Sequence, residues 1–398
     1  MRKIFARIAL ALALIAAPAV VAPHIERASA PVAVSTVIDS VSPSAQALTP
    51  AERVVLFSGK AQPVATLDFT TQAYTRACPT FASCVTFSRA SQETDSFYTD
   101  AAGSSYNTYA NNVPVITSAG LQVFEARTQY LTTATSPASE TVTLTTGQHT
   151  LWAIGTGTAT IAAGTGTATG LGTHTPGTPL VFNVTISGTF NISKTGTLNR
   201  WQLEKGAFAT PFMPGASRAA DVAQLTGAAL TALQGAKWSA AVEFTAATGA
   251  PGIFNYRLLS TVGGAGSLAF GTNTTVSWIG TSIITATLDT GGWESTSRAA
   301  FAGATAGGIA LVANGGTVVT DAATPSTGAV TSAYVGSNAG SSNFANGWLR
   351  SLAVYNVRLP DATLKAKSVV GASYAANDNG VRFAFANDNL PVWWRIAI

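Results

Sequence analysis

Between Phe182 and Ser187 the chain alternates without a break, Phe182, Val184 and Ile186 against Asn183, Thr185 and Ser187. A two-residue period puts successive side chains on opposite faces of an extended strand, whereas a helix repeats about every 3.6 residues. The pattern returns at Trp238, Ala240, Val242 and Phe244, set against Ser239, Ala241 and Glu243. Glycine-rich turns at 263–266, 291–292 and 315–316 divide further short apolar runs, and 347–355 reads as a late strand. Closely spaced strands separated by turn formers are the pattern of a sandwich rather than of crossover helices. The expected fold class is therefore all-β: two antiparallel β-sandwich (jelly-roll) domains in tandem, at 65–215 and 216–370.

Charge excludes other classes. Only 10% of residues are Asp, Glu, Lys or Arg, against about 25% in ordinary globular chains, too few for a coiled coil or for charge-driven disorder. The net charge of +4 is concentrated at the start, where Arg2, Lys3, Arg7 and Arg27 face only Glu26. Nucleic acid is not an expected partner, since a phosphate-binding face needs clustered cations and no basic run follows the N-terminus.

Residues 1–30 have the layout of a signal peptide: basic residues, the apolar run 8–22, then Ala28-Ser29-Ala30 as a small-residue cleavage pattern. Pro18 interrupts the run and Pro31 follows the cut, so an uncleaved anchor or a buried arm is the alternative. Residues 31–64 read as a linker or arm, and 371–398 as a C-terminal tail ending in Trp393-Trp394-Arg395-Ile396-Ala397-Ile398. The expected location is extracellular, cell surface or virion, with export if the N-terminal segment acts as a signal peptide. In an oxidising compartment Cys78 and Cys84, the only cysteines, could close a small loop. Two thiols without neighbouring histidines do not make a zinc site.

Catalytic patterns are sparse. His149 and His174 stand among Thr and Gly and read as solvated loop residues. The repeated GTGTAT at 155–160 and 164–169 lacks a Walker lysine and reads as a hairpin of small residues. Glycoside hydrolysis needs two carboxylates flanking the scissile bond. Asp289 and Glu294, the nearest pair in the second region, lie five apart across Gly291-Gly292. No catalytic residue is assigned, and a secreted glycoside hydrolase is the weakest alternative. Calcium is the single cofactor considered, with Asp289 and Asp321 as its side-chain ligands.

Aromatic residues carry the binding expectation. Trp201, Trp238 and Trp348 fall inside strand patterns and are assigned to the core. Trp278 and Trp293 adjoin polar or glycine-rich turns (NTTVSWIGTS and DTGGWES), where an open ring could stack on a sugar while Asn, Asp or Gln pair with its hydroxyls. Tyr98, Tyr106 and Tyr109 share a segment with Asn107 and are assigned the same role.

Ordered motifs extend the reading. Phe87-Ser88-Arg89-Ala90-Ser91, a D-x-x-G turn at Asp100–Gly103, Glu125-Ala126-Arg127-Thr128-Gln129, Gln202-Leu203-Glu204-Lys205-Gly206-Ala207-Phe208-Ala209-Thr210 and Ser217-Arg218-Ala219-Ala220-Asp221 follow in that order. Over 65–221 the chain resembles a domain widespread in tailed-phage and prophage virion proteins, with a jelly-roll carbohydrate-binding module's ending. Residues 222–370 look like a concanavalin A-like, laminin G-like sandwich. The resemblance implies a virion spike or fibre component, or a related exported surface protein, that engages host polysaccharide without catalysis. A subunit using the sandwiches only as assembly surfaces, alongside other virion or appendage subunits, is the alternative. Weak single-site sugar binding implies a homo-oligomer. Arg89, Glu125 and Arg127 have a structural explanation, a buried Arg–carboxylate pairing that pins strand register.

Overall fold

A computed structural model describes residues 61–372 apart from 76, 247–255, 264–265, 271–274, 281, 289–294, 306 and 324–329. Strands dominate, all paired antiparallel, and three short helices span Phe81–Cys84, Gly227–Leu233 and Asp361–Lys367. The chain is all-β, as its periodicity predicts. Among the described residues no helix is long and apolar enough to cross a membrane.

The large sandwich consists of a nine-stranded and a seven-stranded sheet. In the nine-stranded sheet Gly347–Tyr355 and Lys237–Ala246 pair at the centre, Thr296–Ala304 and Gly308–Ala313 follow, and Ala65–Asp68 flanks the other side. Trp238, Ala240, Val242 and Phe244 enter the main core. Their neighbours do not face water either: Ala241, Ala300, Ala302, Ala310, Val312 and Ala353 form a second cluster with Leu359 and Leu364, on and beside the helix Asp361–Lys367. Covering both faces explains why these strands read as near-continuous apolar runs.

The seven-stranded sheet orders Ile283–Thr287, Thr275–Ile279, Ser267–Phe270, Tyr256–Val262, Ser332–Val335, Val222–Leu225 and Val85–Ser88. Strands from before and after residue 215 thus share both large sheets. The expected tandem division at 215/216 is corrected accordingly: Ala65–Asp68, Val85–Ser88 and Gly120–Val123 complete the second sandwich instead of the first. Sequence order misleads here because an antiparallel sheet accepts partners from any distance along the chain.

The small sandwich is the insertion between these strands. Its two four-stranded sheets, built from residues 140–205, enclose Leu144, Leu151, Ile161, Phe182, Val184, Phe190, Ile192, Trp201 and Leu203. Here the jelly-roll expectation for the first region survives as a smaller unit. The two GTGTAT copies are not a hairpin: Thr158–Ala163 pairs with Gly188–Thr195 in one sheet, and Thr167–Thr169 pairs with Leu180–Ile186 in the other. On Gly147–Gly155, Leu151 and Ala153 fill the small core while Trp152 and Ile154 join the main core, where Trp152 meets Phe212 edge-on at 6.2 Å. That strand is buried on both faces and joins the two units.

Candidate functional site

The motif residues converge, but on a junction and not on a cleft. Arg89 sends Nη1 to Asp221 Oδ1 at 3.0 Å, Nε to the Ser91 carbonyl at 3.0 Å and Nη2 to the Val113 carbonyl at 3.0 Å. Asp221 also accepts the Phe124 amide at 2.9 Å. Arg218 donates to Glu93 and Asp221, and its Nη1 reaches the Glu125 carbonyl at 3.0 Å. Burial opposes the charge on Arg218, but Asp221 and Glu93 outweigh it and hold its pKa above the ordinary guanidinium value. Beside this quartet, Glu204 accepts Thr210 N and Oγ1 at 2.8 and 2.6 Å and Gln202 Nε2 at 2.9 Å. Arg127 pairs with Glu125 at 2.6 Å and lies over the Phe208 ring at 4.4 Å. Each of these carboxylates is occupied by donors, the condition under which a buried charge is tolerated. Arg89 forms the buried Arg–carboxylate pairing expected of it, with Asp221, whereas the Glu125 side chain is 36% exposed where it meets Arg127; Glu93, Arg218, Asp221 and Glu204 are members that single-residue reasoning left out.

The predicted sugar contacts scatter. Trp278 is buried, stacked on Phe301 at 4.8 Å and beside Trp238 at 5.5 Å; the open ring expected there is corrected to a core residue. Tyr98 is also buried, its ring 4.5 Å from Phe97. Half-buried Tyr106 rests edge-on against Phe212 at 5.2 Å and under the Arg200 guanidinium at 5.0 Å. Asn107 is exposed, and its amides hold Asp95. Tyr109 is half-buried, its hydroxyl pKa raised by burial and by the same Asp95. Trp293, Asp289 and Glu294 lie outside the described residues. Asp321 ends an edge strand and accepts the Ala323 amide at 2.7 Å. Among the described residues no group of three or more His, Cys, Asp or Glu could hold a metal ion. Trp201 and Trp238 are buried, and Trp348 packs edge-on against Phe97 and Phe124 at 5.0 and 5.6 Å.

The histidines are corrected too. His149 is fully buried and stacked on Phe182 at 5.6 Å. His174 Nε2 accepts the Ala153 amide at 2.9 Å and Nδ1 donates to the Thr178 carbonyl at 2.5 Å. Only a neutral ring can do both, and burial lowers the pKa of both imidazoles below 6.5. Cys78 and Cys84 form the expected disulfide.

The outer face of the seven-stranded sheet mixes solvent-reaching and buried groups: Gln224 and Tyr334 are half-buried and Thr86 and Thr285 exposed, whereas Ser260, Ser267, Ala269 and Ser277 are buried. Across the seven-stranded sheet, cross-strand register aligns Phe87, Ala223, Val335, Leu259, Leu268, Trp278 and Ile284, all core residues. Directly opposed residues share a face and their chain neighbours take the other. The adjoining register row, Thr86, Gln224, Tyr334, Ser260, Ser267, Ile279 and Ile283, therefore lies on the outer face. At about 4.8 Å between strands it runs some ~29 Å. A parallel row holds Arg257, Ala269, Ser277 and Thr285, with a hydrogen bond of 2.8 Å between the Ser277 and Thr285 hydroxyls. The segment 337–343 roofs the middle: Ser260 Oγ donates to the Ser337 carbonyl at 2.7 Å and accepts the Ala339 amide at 3.2 Å, and Arg257 N donates to the Asn343 carbonyl at 2.8 Å.

Sequence reasoning missed this face because its members are ordinary small polar residues. The one signal it contains is Arg257, a cation inside an apolar strand (YRLLSTV) of a chain poor in charge.

No family model matches the chain, and no curated protein matches it. Among solved structures, the Ruminococcus gnavus IT-sialidase CBM40 bound to α2,3-sialyllactose is 15% identical, over 36% of this chain and 88% of that one, with a TM-score of 0.30. The K499G mutant of NanB sialidase from Streptococcus pneumoniae is 13% identical over 35% and 25%, with a TM-score of 0.26. A Trypanosoma rangeli sialidase is 15% identical over 39% and 27%, with a TM-score of 0.28. At such TM-scores these likenesses carry no weight for function.

Proposed function

We propose that this is a non-enzymatic glycan-binding protein of a virion or cell surface, and that the outer face of the seven-stranded sheet is its binding surface. The carrying observation is the register row Thr86, Gln224 and Tyr334: a hydroxyl, an amide and one tyrosine ring that reach solvent, without charge, laid out by the sheet. Hydroxyls and amides both donate and accept hydrogen bonds, which suits the mixed hydroxyl pattern of a sugar. The Tyr334 ring adds an amphipathic surface at low entropic cost. A non-catalytic role is supported by the carboxylates: buried Glu93, Asp221, Glu204 and Glu243 are engaged by Arg218, Arg89, Arg127, Arg298 or their neighbours, which leaves them poor candidates for an acid–base pair.

The test is affinity-gel electrophoresis of the full chain in a panel of polysaccharides. Retardation that disappears in Tyr334→Ala and Gln224→Ala, with unchanged thermal unfolding, is the expected result. Migration unaffected by any polysaccharide would overturn the proposal. Trp293→Ala in the same gels tests the one tryptophan still eligible from the sequence.

An assembly subunit is the second reading, favoured by Ile283, which is 58% exposed on the terminal strand of the seven-stranded sheet. Open edges are where strands of another chain add. Concentration-dependent sedimentation without any glycan retardation would favour it.

A further inference from the structure

Arg257 is out of place by the standard the rest of the molecule sets. The other deeply placed arginines meet acids: Arg89 and Arg218 meet Asp221, Arg127 meets Glu125, Arg200 meets Asp100 and Arg298 meets Glu243. Arg257 has no acidic partner among the described residues. Its Nε and Nη1 are shielded from solvent without any hydrogen-bond acceptor, and its backbone amide alone is engaged, by Asn343. Burial lowers its pKa and no neighbouring charge pushes back. A shielded guanidinium without acceptors costs folding free energy and contributes none. It is well suited to receiving an anion in the forked geometry that a carboxylate or sulfate matches.

Position supports the same conclusion. A register shift between Arg257 and Leu259 lets Leu258 and Leu259 both enter the core while Arg257 stays on the outer face opposite Ala269. Arg257 itself is half-buried, Ala269 and Ser277 beside it in the row are buried, and Thr285 at the end of the row is exposed. Because no hydrogen bond fixes the side chain, turning it toward a ligand costs no more than a rotamer change.

We propose that Arg257 is an oxyanion subsite within the glycan surface, so that the ligand is an acidic saccharide bearing a carboxylate or sulfate; this rests on the binding surface assigned above. The test uses the full chain and matched polymers: polygalacturonate against its methyl-esterified form, and dextran sulfate against dextran. Wild type is expected to bind at least one acidic polymer about tenfold or more tighter than its neutral counterpart, the worth of a charge-assisted hydrogen bond. Arg257→Gln abolishes that preference, Arg257→Lys retains part of it, and Lys194→Gln on the small sandwich leaves it intact. Arg257→Gln is also expected to unfold at the same temperature as wild type or higher, since it removes an unpaired shielded charge. Equal binding of acidic and neutral polymers by wild type, an undiminished preference in Arg257→Gln, or a lowered unfolding temperature in that variant would overturn the inference while leaving neutral-glycan binding standing. If no polymer binds at all, both proposals fall.

Discussion

Arginines in this chain divide by what faces them. Arg218 serves Glu93, Asp221 and the Glu125 carbonyl at once, so Arg218→Met leaves two buried carboxylates short of a donor. The expected loss is about 3–5 kcal/mol, measured as a shift of the denaturant midpoint. Arg218→Lys should recover little, because one ammonium cannot span the partners that a planar fork reaches. His174 carries the opposite constraint, since its hydrogen bonds require neutrality. With the folded pKa lowered from 6.5 by burial, the unfolded chain takes up the proton first as pH falls. Stability is therefore full above about 6.5 and declines below it, toward the lowered folded value. Denaturation at about pH 7.5 and pH 5 should show the loss, and His174→Gln should flatten the slope, with His149 accounting for the remainder. Neither role was legible in the sequence: both histidines look like loop residues among Thr and Gly, and only strand pairing buries them.

At the scale of single elements, sequence patterns located strands well and their partners poorly. The alternation at 182–186 and 238–244 and the run 347–355 all lie in strands, with Phe182 and Val184 in the core as expected, whereas Ile186 is 59% exposed at the strand end and 238–244 is buried on both faces. Asp361 begins a short helix. Trp278 was misassigned because its neighbours in the sequence are polar, while its neighbours across the sheet, Leu268 and Ile284, are apolar. Gly206 shows why one motif position admits no side chain. Its φ is +145°, and a Cβ there would overlap the Arg127 guanidinium. Gly206→Ala is expected to destabilise the junction by more than the 0.5–1 kcal/mol of a typical backbone effect, again read from the denaturant midpoint. The Cys78–Cys84 bridge closes a short loop, so the Cys78→Ala, Cys84→Ala double variant should lose only about 2 kcal/mol and remain folded.

For the whole molecule, the insertion of the small sandwich between strands of the large one governs which pieces can stand alone. A fragment starting at residue 216 lacks Ala65–Asp68, Val85–Ser88 and Gly120–Val123, exposing sheet edges and core residues that pair with them, such as Leu352, Ala223 and Leu349. It is expected to be insoluble or to give no cooperative unfolding transition, whereas a fragment of 61–372 unfolds cooperatively. Circular dichroism melts of the two distinguish the outcomes. The same architecture sets what covers each large sheet. Residues around the helix Asp361–Lys367 cover the outside of the nine-stranded sheet, and among the described residues the segment 337–343 lies over the middle of the seven-stranded sheet's outer face.

Local alternation, turn formers and scarcity of charge were enough to determine an all-β chain and most of its strands, and to allow a disulfide between Cys78 and Cys84, because those properties depend on residues close together along the chain. Which strands are neighbours depends on contacts between residues as far apart as Ala65 and Val354, 289 positions along the chain. Those contacts decided that the motif charges form a clamp, that Trp278 belongs to the core and that Arg257 stands without an acid. Side-chain environment is set by the partners a sheet brings together, and no window of sequence contains them.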